Sequence, residues 1–439
     1  MLNFLTTLRH LARQIAYVGY IFWLERRSKQ ALDRWQLKKL QRIVNHAYTH
    51  VPFHRQRMLN AGFHPQQLQS LADLVKIPSL SKDELRQSDF SQLLAHGYHD
   101  HNAFQESTSG SSGNRLYLYH DNDAYDIYTA ISYRQYHQMG YRPWHRRSYF
   151  RWIPFTQPLV LERLGLLRRY FVPIDAEVQE QYQLLLKAQP HLICGYPSSL
   201  LPLVRRIPAD DLKRINARMI ELNSEHITIE ERQLIEQGFG CPVYNEYSSF
   251  EAYQMAFECR YQQLHSVSEN VIIEIMTNQG LPAKAGEQGE IVVTCLNNQA
   301  MPFIRYRTND LAIASDDVCR CGRAHPIIKS LLGRRDDRIV LKNQKELSPY
   351  MLAGLPIEIP EVVEFQIHQQ ALDKFIVLII PQPDIDQIAV AEFVRTHFLE
   401  VLGDSMIDLE IHFVERIDRG STGKHRSIIV NPELLLINK

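Results

Sequence analysis

The chain has 439 residues, of which 45% are hydrophobic and 22% are charged, as is usual for a globular protein of two or three domains. Lysine plus arginine and aspartate plus glutamate both total 49, so the formal net charge is zero. This balance argues against nucleic acid or a strongly acidic molecule as the partner.

The N-terminal region predicts a helix and no membrane span. We expect no cleavable signal sequence, and the apolar run from Ala16 to Leu24 is too short to cross a bilayer. Arginines surround this run, at Arg9, Arg13, Arg26 and Arg27. We expect a helix packed on its own domain, and the alternative is an amphipathic helix at a membrane surface. Six cysteines are too few for a disulfide framework and favour the cytoplasm.

Two further helices have clear start signals. Residues 28–48 predict a helix, because Ser28 can cap it and apolar residues recur at helical spacing. Thr228 with Glu231 three residues later has the pattern of a capping box, and Gly238 can end the helix that follows.

The pattern changes near the last quarter of the chain. A helical stretch at 387–402 lies among strand-like runs at 338–341, 361–368, 374–380 and 408–414. Such a unit of roughly 100 residues has the size of an independent domain. We therefore predict an α/β protein with a large mixed α/β N-terminal domain, residues 1–333, and a small mobile α+β lid, residues 334–439.

A run of small residues between Ser107 and Gly113 predicts a phosphate-binding loop. Its hydroxyls and glycines offer little apolar area to a core but suit a loop that wraps a phosphate. The P-loop pattern is absent, and a flexible serine–glycine linker is the alternative. The candidate residues are Thr108, Ser109, Gly110, Ser111, Ser112 and Gly113.

Three downstream motifs carry further groups for nucleotide chemistry. Glu251, in the motif YSSFE, could hold magnesium, which prefers oxygen ligands, although an isolated glutamate is usually solvated. Asp310, in RYRTND, can accept hydrogen bonds from ribose hydroxyls. Lys424, in STGK, can neutralise phosphate charge, although an exposed turn is the commoner fate of such a pair.

Taken in order, the motifs TSGSSG, YSSFE, RYRTND, GRRDD and STGK resemble those of the adenylate-forming superfamily. The passages AYTHVPFHR, IPSLSKDEL and ICGYPSSL are similar to the phenylacetate–coenzyme A ligase branch and its relatives from capsule-biosynthesis loci. The resemblance covers nearly the whole chain. It implies that ATP activates an aryl or small organic acid as an acyl-adenylate, which then forms a thioester with coenzyme A. The acid would bind among Tyr149, Trp152 and residues 244–250.

The resemblance also implies roles by position. The loop from Thr108 to Gly113 would hold the β- and γ-phosphates, and Glu251 would bind magnesium. Lys424 would bridge the substrate carboxylate and the α-phosphate, and Asp336 would be the hinge of the small domain. The remaining nucleotide contacts would come from Tyr247, Ser248, Asp310 and Arg334.

Several residues depart from the family's pattern. Asn114–Arg115 stands in place of Lys-Pro, Ser248 and Asn309 each replace a glycine, and Phe250 replaces a threonine. Gln344 stands where the family has a glycine in the segment that helps form the coenzyme A tunnel. Transfer of the acyl group or of AMP to a carrier protein, a sugar or another acceptor is therefore an alternative. A third hypothesis is an inactive relative that serves as a nucleotide-sensing or assembly subunit.

The sequence also predicts a metal site. Cys259, His265, Cys319 and Cys321 supply three thiolates and an imidazole, which suit tetrahedral zinc. Four protein ligands leave no open position, so the ion would be structural. Buried free thiols are the alternative. The predicted cofactors are ATP, Mg²⁺, structural Zn²⁺ and coenzyme A. The predicted partner is a small carboxylic acid, and an acyl-carrier protein and a second copy of the chain are further candidates.

Overall fold

The computed structural model describes residues 4–99, 102–107, 116–155, 160–335, 338–342, 346–347, 359, 361–403, 407–418, 426–431 and 433–434. The α-helices of this part are α1 (Phe4–Glu25), α2 (Lys29–His50), α3 (Pro52–Asn60), α4 (Lys82–Gln87), α5 (Phe90–Leu93), α6 (Asn122–Met139), α7 (Val178–Ala188), α8 (Pro197–Arg206), α9 (Ala209–Lys213), α10 (Ile229–Phe239) and α11 (Gln387–Leu402). Short 3₁₀ helices cover Pro65–Gln67, Leu71–Lys76 and Val160–Leu164. Within these residues no helix is long and apolar enough to cross a membrane.

The strands run throughout the chain and, in order, are β1 (Ala103–Ser107), β2 (Tyr117–Asp121), β3 (Arg147–Arg151), β4 (Arg169–Pro173), β5 (Leu192–Gly195), β6 (Met219–Asn223), β7 (Val243–Ser249), β8 (Tyr253–Glu258), β9 (Leu264–Ser266), β10 (Val271–Met276), β11 (Gln288–Cys295), β12 (Tyr306–Ala314), β13 (Ile327–Arg334), β14 (Ile339–Val340), β15 (Glu346–Leu347), β16 (Val362–Ala371), β17 (Lys374–Pro381), β18 (Asp408–Phe413) and β19 (Ile428–Val430).

The predicted helix starts are confirmed. The Ser28 hydroxyl accepts a hydrogen bond from the Ala31 amide at 3.4 Å, at the start of α2. At α10, the Glu231 amide donates to the Thr228 hydroxyl at 3.1 Å, and the Thr228 amide donates to the Glu231 carboxylate at 3.0 Å. This reciprocal pair satisfies two of the amides that a helix leaves unpaired at its first turn.

The predicted end of α10 at Gly238 is wrong by two residues. The helix runs to Phe239 and is capped by Gly240, whose φ of 69° lies in the left-handed region that glycine adopts readily. Gly238 lies inside the helix, where a Cβ would approach Val204 Cγ1 to 2.7 Å. Its lack of a side chain therefore serves close packing within α10's own unit.

The chain divides into two compact units, and the first contains residues 1–140 and 245–331. Its main sheet has the strand order β10-β11-β12-β13-β9-β8-β7, and the pairs β10–β11, β11–β12, β9–β13, β8–β9 and β7–β8 are antiparallel. Helix α2 packs a buried apolar face, Leu32, Leu40, Ile43, Val44 and Ala47, into this unit.

The second unit contains residues 141–244 and 332–439. It holds the parallel strands β6-β5-β3-β4 and a separate sheet of order β18-β17-β16-β19. That small sheet and α11 share a hydrophobic core drawn from residues 339–434 alone, in which Phe375 and Phe398 are 0% exposed. The α/β class with a smaller α+β C-terminal region is thus confirmed, and the division at residue 333 stays a prediction.

Candidate functional site

Two of the predicted nucleotide residues lie in contact within the first unit. The Tyr247 hydroxyl, on β7, lies 2.6 Å from Oδ2 of Asp310, on β12, and 3.3 Å from Oγ1 of Thr308. The Thr308 hydroxyl donates to the Ile291 carbonyl at 3.0 Å and accepts from the Asp310 amide at 3.1 Å. These contacts hold the Asp310 carboxylate in one orientation.

Asn309 explains how the chain turns just before that carboxylate. Its φ is 67°, in the left-handed region that glycine occupies freely and that asparagine tolerates better than most residues. Asn309 therefore holds a backbone conformation that a glycine would adopt without strain.

Glu251, the predicted magnesium ligand, is 6% exposed and has two partners that the sequence did not suggest. The Tyr306 hydroxyl donates to its Oε1 at 2.9 Å. The Lys82 ammonium group forms an ion pair with the same oxygen at 3.4 Å. This arrangement fixes the carboxylate with one neutral donor and one cation.

Backbone pairing with β12 brings Lys82 to this place. The Leu80 amide donates to the Arg305 carbonyl at 2.7 Å, and the Arg307 amide donates to the Leu80 carbonyl at 2.8 Å. The Arg305 guanidinium, paired with Glu274 at 2.9 Å, also donates to carbonyls of the preceding segment. The chain before α4 is therefore attached to the strand that carries Tyr306 and Asp310. Tyr306 could have been found in the RYRTND motif, whereas Lys82 had no signal of its own apart from the SKDEL passage.

Other predicted residues have separate positions. Ser248 lies opposite Gln254, at an irregularity in the β7–β8 pairing. Arg334 is the last residue of β13 and is exposed, in the second unit. The remaining predicted site residues lie outside the described residues: Thr108, Ser109, Gly110, Ser111, Ser112, Gly113, Asp336 and Lys424, as does Gln344.

The four predicted metal ligands converge in the first unit, with all their ligand atoms within 4.8 Å of one another. The sulfurs of Cys259 and Cys319 lie 3.6 Å apart, and the sulfur of Cys321 lies 3.4 Å from Nε2 of His265. Zinc with Zn–S bonds of about 2.3 Å and a Zn–N bond of about 2.0 Å would place two sulfurs about 3.8 Å apart, and a sulfur and a nitrogen about 3.5 Å apart. The side chains therefore fit a tetrahedral ion.

A second layer of contacts orients the cluster. Nδ1 of His265 lies 3.1 Å from the carbonyl of His325, so that Nε2 faces the thiols. Burial lowers the pKa of His265 to about 4, which keeps the ring neutral at pH 7.

The buried carboxylate of Glu269 pairs with Arg134 at 2.9 Å and with the His325 ring at 3.2 Å. Burial opposes its charge, yet the arginine and the histidine hold the pKa of Glu269 at about 2.

A cavity of about 210 Å³ lies at the carboxyl ends of the parallel strands of the second unit. Ligands of open α/β sheets bind at such ends. The cavity is lined by Tyr149, Phe150, Arg151, Cys194, Gly195, Tyr196 and Asn223. Tyr149 was predicted to line an acid pocket; Trp152, predicted with it, is 39% exposed and is not part of this lining. Beside the cavity, the side-chain amide of Asn223 donates a hydrogen bond to the buried carboxyl group of Glu221 at 3.1 Å. Burial raises the pKa of that carboxyl group.

Comparison with known proteins gives several relatives. A family model described as the CapK C-terminal domain matches residues 340–431. The chain is 26% identical over 353 residues to the phenylacetate-coenzyme A ligase of Thermus thermophilus, covering 77% of this chain and 78% of that protein. It is 23% identical over 382 residues to Protein CapK of Staphylococcus aureus, covering 82% of this chain and 81% of that protein.

A solved structure extends the likeness to the whole fold. 2-Hydroxyisobutyryl-CoA ligase in the postadenylation state matches with a TM-score of 0.75 at 20% identity, covering 94% of this chain and 93% of that chain. At this identity the match concerns the fold, which is that of the adenylate-forming ligases. The chain is therefore related to the phenylacetate-coenzyme A ligases and to CapK, and it has the fold of the adenylate-forming ligases.

Proposed function

We propose that this protein activates a carboxylic acid with ATP and transfers the acyl group to coenzyme A. The observation that carries the proposal is the similarity to phenylacetate-coenzyme A ligases, which in the Thermus thermophilus protein extends over 77% of this chain. In the first step a carboxylate oxygen bonds to the α-phosphorus of ATP and pyrophosphate leaves. In the second step the coenzyme A sulfur bonds to the acyl carbon, AMP leaves, and the thiol proton passes to solvent.

Asp310 binds the ribose in this proposal. Its carboxylate is held by the Tyr247 hydroxyl at 2.6 Å, so it is oriented before the nucleotide arrives. A preformed acceptor loses less conformational freedom on binding than a freely rotating one. Arg334 contributes a second ribose contact, and the loop from Thr108 to Gly113 holds the outer phosphates.

Glu251 provides an oxygen ligand for Mg²⁺, which is a hard cation that prefers carboxylates. The Tyr306 hydroxyl, at 2.9 Å from Oε1, orients the carboxylate. Lys82 neutralises it at 3.4 Å and, being 36% exposed, can turn toward solvent or a phosphate when the metal takes its place. Bound magnesium would supply positive charge to the phosphates. Lys424 would bridge the acid and the α-phosphate, with Asp336 as the hinge of the small domain.

A structural zinc ion is held, in this proposal, by Cys259, His265, Cys319 and Cys321, because their spacing fits a closed tetrahedral site.

The cavity that Tyr149 lines receives the acid, which is an aryl or small organic acid. None of the six cysteines forms a disulfide bond in the structure, which supports a cytoplasmic location for the enzyme.

ATP–pyrophosphate exchange with a panel of aryl and small aliphatic acids tests the first step. We expect one acid class to support exchange, and Asp310→Ala to reduce kcat/KM for ATP at least tenfold. Lys284→Ala, a change at an exposed lysine, is the control and should match wild type. Absence of exchange with every acid, or an Asp310→Ala enzyme with wild-type kinetics, would contradict the proposal.

A different acyl acceptor is the second candidate, and the glutamine at position 344 favours it. Adding coenzyme A to a reaction that already makes acyl-adenylate distinguishes the two. Formation of the coenzyme A thioester at the rate of adenylation supports the main proposal. Stalling at the adenylate, with release on addition of a carrier protein, supports the alternative.

A further inference from the structure

Helix α1 turns several polar side chains toward the protein, together with the buried Ile21 and Leu24. Nδ1 of His10 lies 2.8 Å from Oδ2 of Asp126 on α6, the Arg13 guanidinium donates to the same oxygen at 2.7 Å, and the Gln14 amide donates to Oδ1 at 2.9 Å. Asp126 is 0% exposed. The Tyr17 hydroxyl adds a hydrogen bond to a second α6 carboxylate at 2.8 Å. A buried carboxylate with three donors fixes the rotation of α1 about its axis.

That rotation leaves an apolar face of α1 pointing outward. Leu8, Ile15 and Trp23, about two helical turns apart, are 45%, 64% and 50% exposed. Tyr20 is 38% exposed, and its ring stacks on Trp23 with centroids 5.7 Å apart. We call these four residues the outer face of α1. Exposed aliphatic and aromatic side chains grouped on one helix face mark an interaction surface.

The outer face is bordered by positive charge. Arg9, Arg26 and Arg27 are exposed, and the Arg27 guanidinium lies 3.8 Å from the centre of the Trp23 ring. Neither Arg9 nor Arg26 forms an ion pair with any residue that the structure describes. The single acidic residue of α1, Glu25, points inward, where Arg323 pairs with it at 2.7 Å.

We propose that the outer face of α1 binds the surface of a membrane that contains anionic lipids, an activity beyond the proposed ligase function. A helix lying in the membrane interface has this arrangement: aliphatic and aromatic side chains on one face and arginines beside them. Tyrosine and tryptophan favour the headgroup level, and each arginine near an anionic surface strengthens binding.

The charges favour a membrane over a second copy of the chain. In a parallel pair of α1 helices Arg9 would lie beside Arg9, and in an antiparallel pair it would lie beside Arg26 and Arg27. Both arrangements place like charges together. An anionic surface instead complements arginines at both ends of the helix.

Flotation of the full-length protein with vesicles tests the proposal. We expect binding to phosphatidylcholine vesicles with about 30% phosphatidylserine at about 0.1 M salt, and weaker binding to phosphatidylcholine alone or at about 0.5 M salt. Changing Arg9, Arg26 and Arg27 to glutamine should weaken binding about a hundredfold, at about fivefold for each arginine. Ile15→Ser with Trp23→Ser should abolish it.

The matched control is Ile229→Ser, because Ile229 is 70% exposed on α10 and should not affect vesicle binding. Circular dichroism and, if the proposed ligase activity is found, ATP–pyrophosphate exchange without vesicles should be unchanged in all variants. Wild-type protein that floats no better than the Ile15/Trp23 variant overturns the proposal, whatever its enzymatic activity. So does a wild-type dimer that ignores vesicles and that the same two substitutions convert to monomer.

Discussion

Removing one ligand of the cysteine–histidine cluster should cost the protein both the proposed zinc ion and much of its stability. Cys259 is 1% exposed, and its sulfur lies 3.6 Å from that of Cys319. Cys259→Ser replaces a soft thiolate by a poor zinc ligand and opens a closed site. The loop with Cys321 also contains Arg323, which pairs with Glu25 of α1 at 2.7 Å, so loss of the metal also loosens the attachment of the first helix.

The size of the effect follows from linkage. An ion that binds only the folded protein stabilises it by about 4 kcal/mol when its free concentration is about a thousand times Kd. For a unit of 150–250 residues, such as the first compact unit, each kcal/mol shifts the melting temperature by roughly 2–4 °C. We therefore expect Cys259→Ser to melt about 8–16 °C below wild type.

Elemental analysis and thermal melting test this prediction together. Wild type should contain one zinc ion per chain, Cys259→Ser none, and excess chelator should lower the melting temperature of wild type toward that of the variant. Cys241→Ser, a change at a buried cysteine outside the cluster, should keep the metal. Wild type that is metal-free after zinc addition, or whose melting temperature ignores chelator, would refute the reasoning.

Three further changes test other parts of the structure. Asp126→Ala should lower the free energy of unfolding in urea by about 2–3 kcal/mol, a value reduced because the partners of Asp126 are partly exposed. The control Asp33→Ala, at an exposed i,i+4 ion pair, should change the free energy of unfolding by less than about 0.5 kcal/mol. Equal losses in the two variants would count against the buried contacts. Tyr306→Phe should raise KM for Mg·ATP about fivefold to tenfold and lower the free energy of unfolding by about 1–2 kcal/mol, because the buried Glu251 carboxylate loses a donor at 2.9 Å. An unchanged KM would argue against this site. Burial lowers the pKa of His54 to about 4, so its stabilising contribution is present above pH 6.5 and is lost as the pH falls toward 4. Between about pH 7.5 and pH 5 this effect lowers the free energy of unfolding of wild type by about 2 kcal/mol. In urea titrations over that range, His54→Gln should therefore lose about 2 kcal/mol less than wild type. A variant whose stability falls as steeply as that of wild type would contradict this.

Much of the local structure could be predicted from the sequence. The capping pair Thr228 and Glu231 predicted the start of α10, and the helical stretch at 387–402 is α11 at its full length. The spacing of Cys319 and Cys321 predicted a metal cluster whose four side chains do converge. The roles of Asp310 and Glu251 in catalysis stay predictions, although both lie in structured, hydrogen-bonded positions.

The sequence by itself determined the elements and the motifs, because capping, helical periodicity and ligand spacing depend on residues close together in the chain. Only the tertiary structure decided which distant residues meet. Lys82 reaches Glu251 because the segment before α4 pairs with β12. The apolar run in the first helix predicted a helix packed on its own domain, and α1 does pack on α6, with Ile21 and Leu24 buried. The tertiary structure decided which face lies inward, because the buried Asp126 carboxylate requires donors and His10, Arg13 and Gln14 supply them.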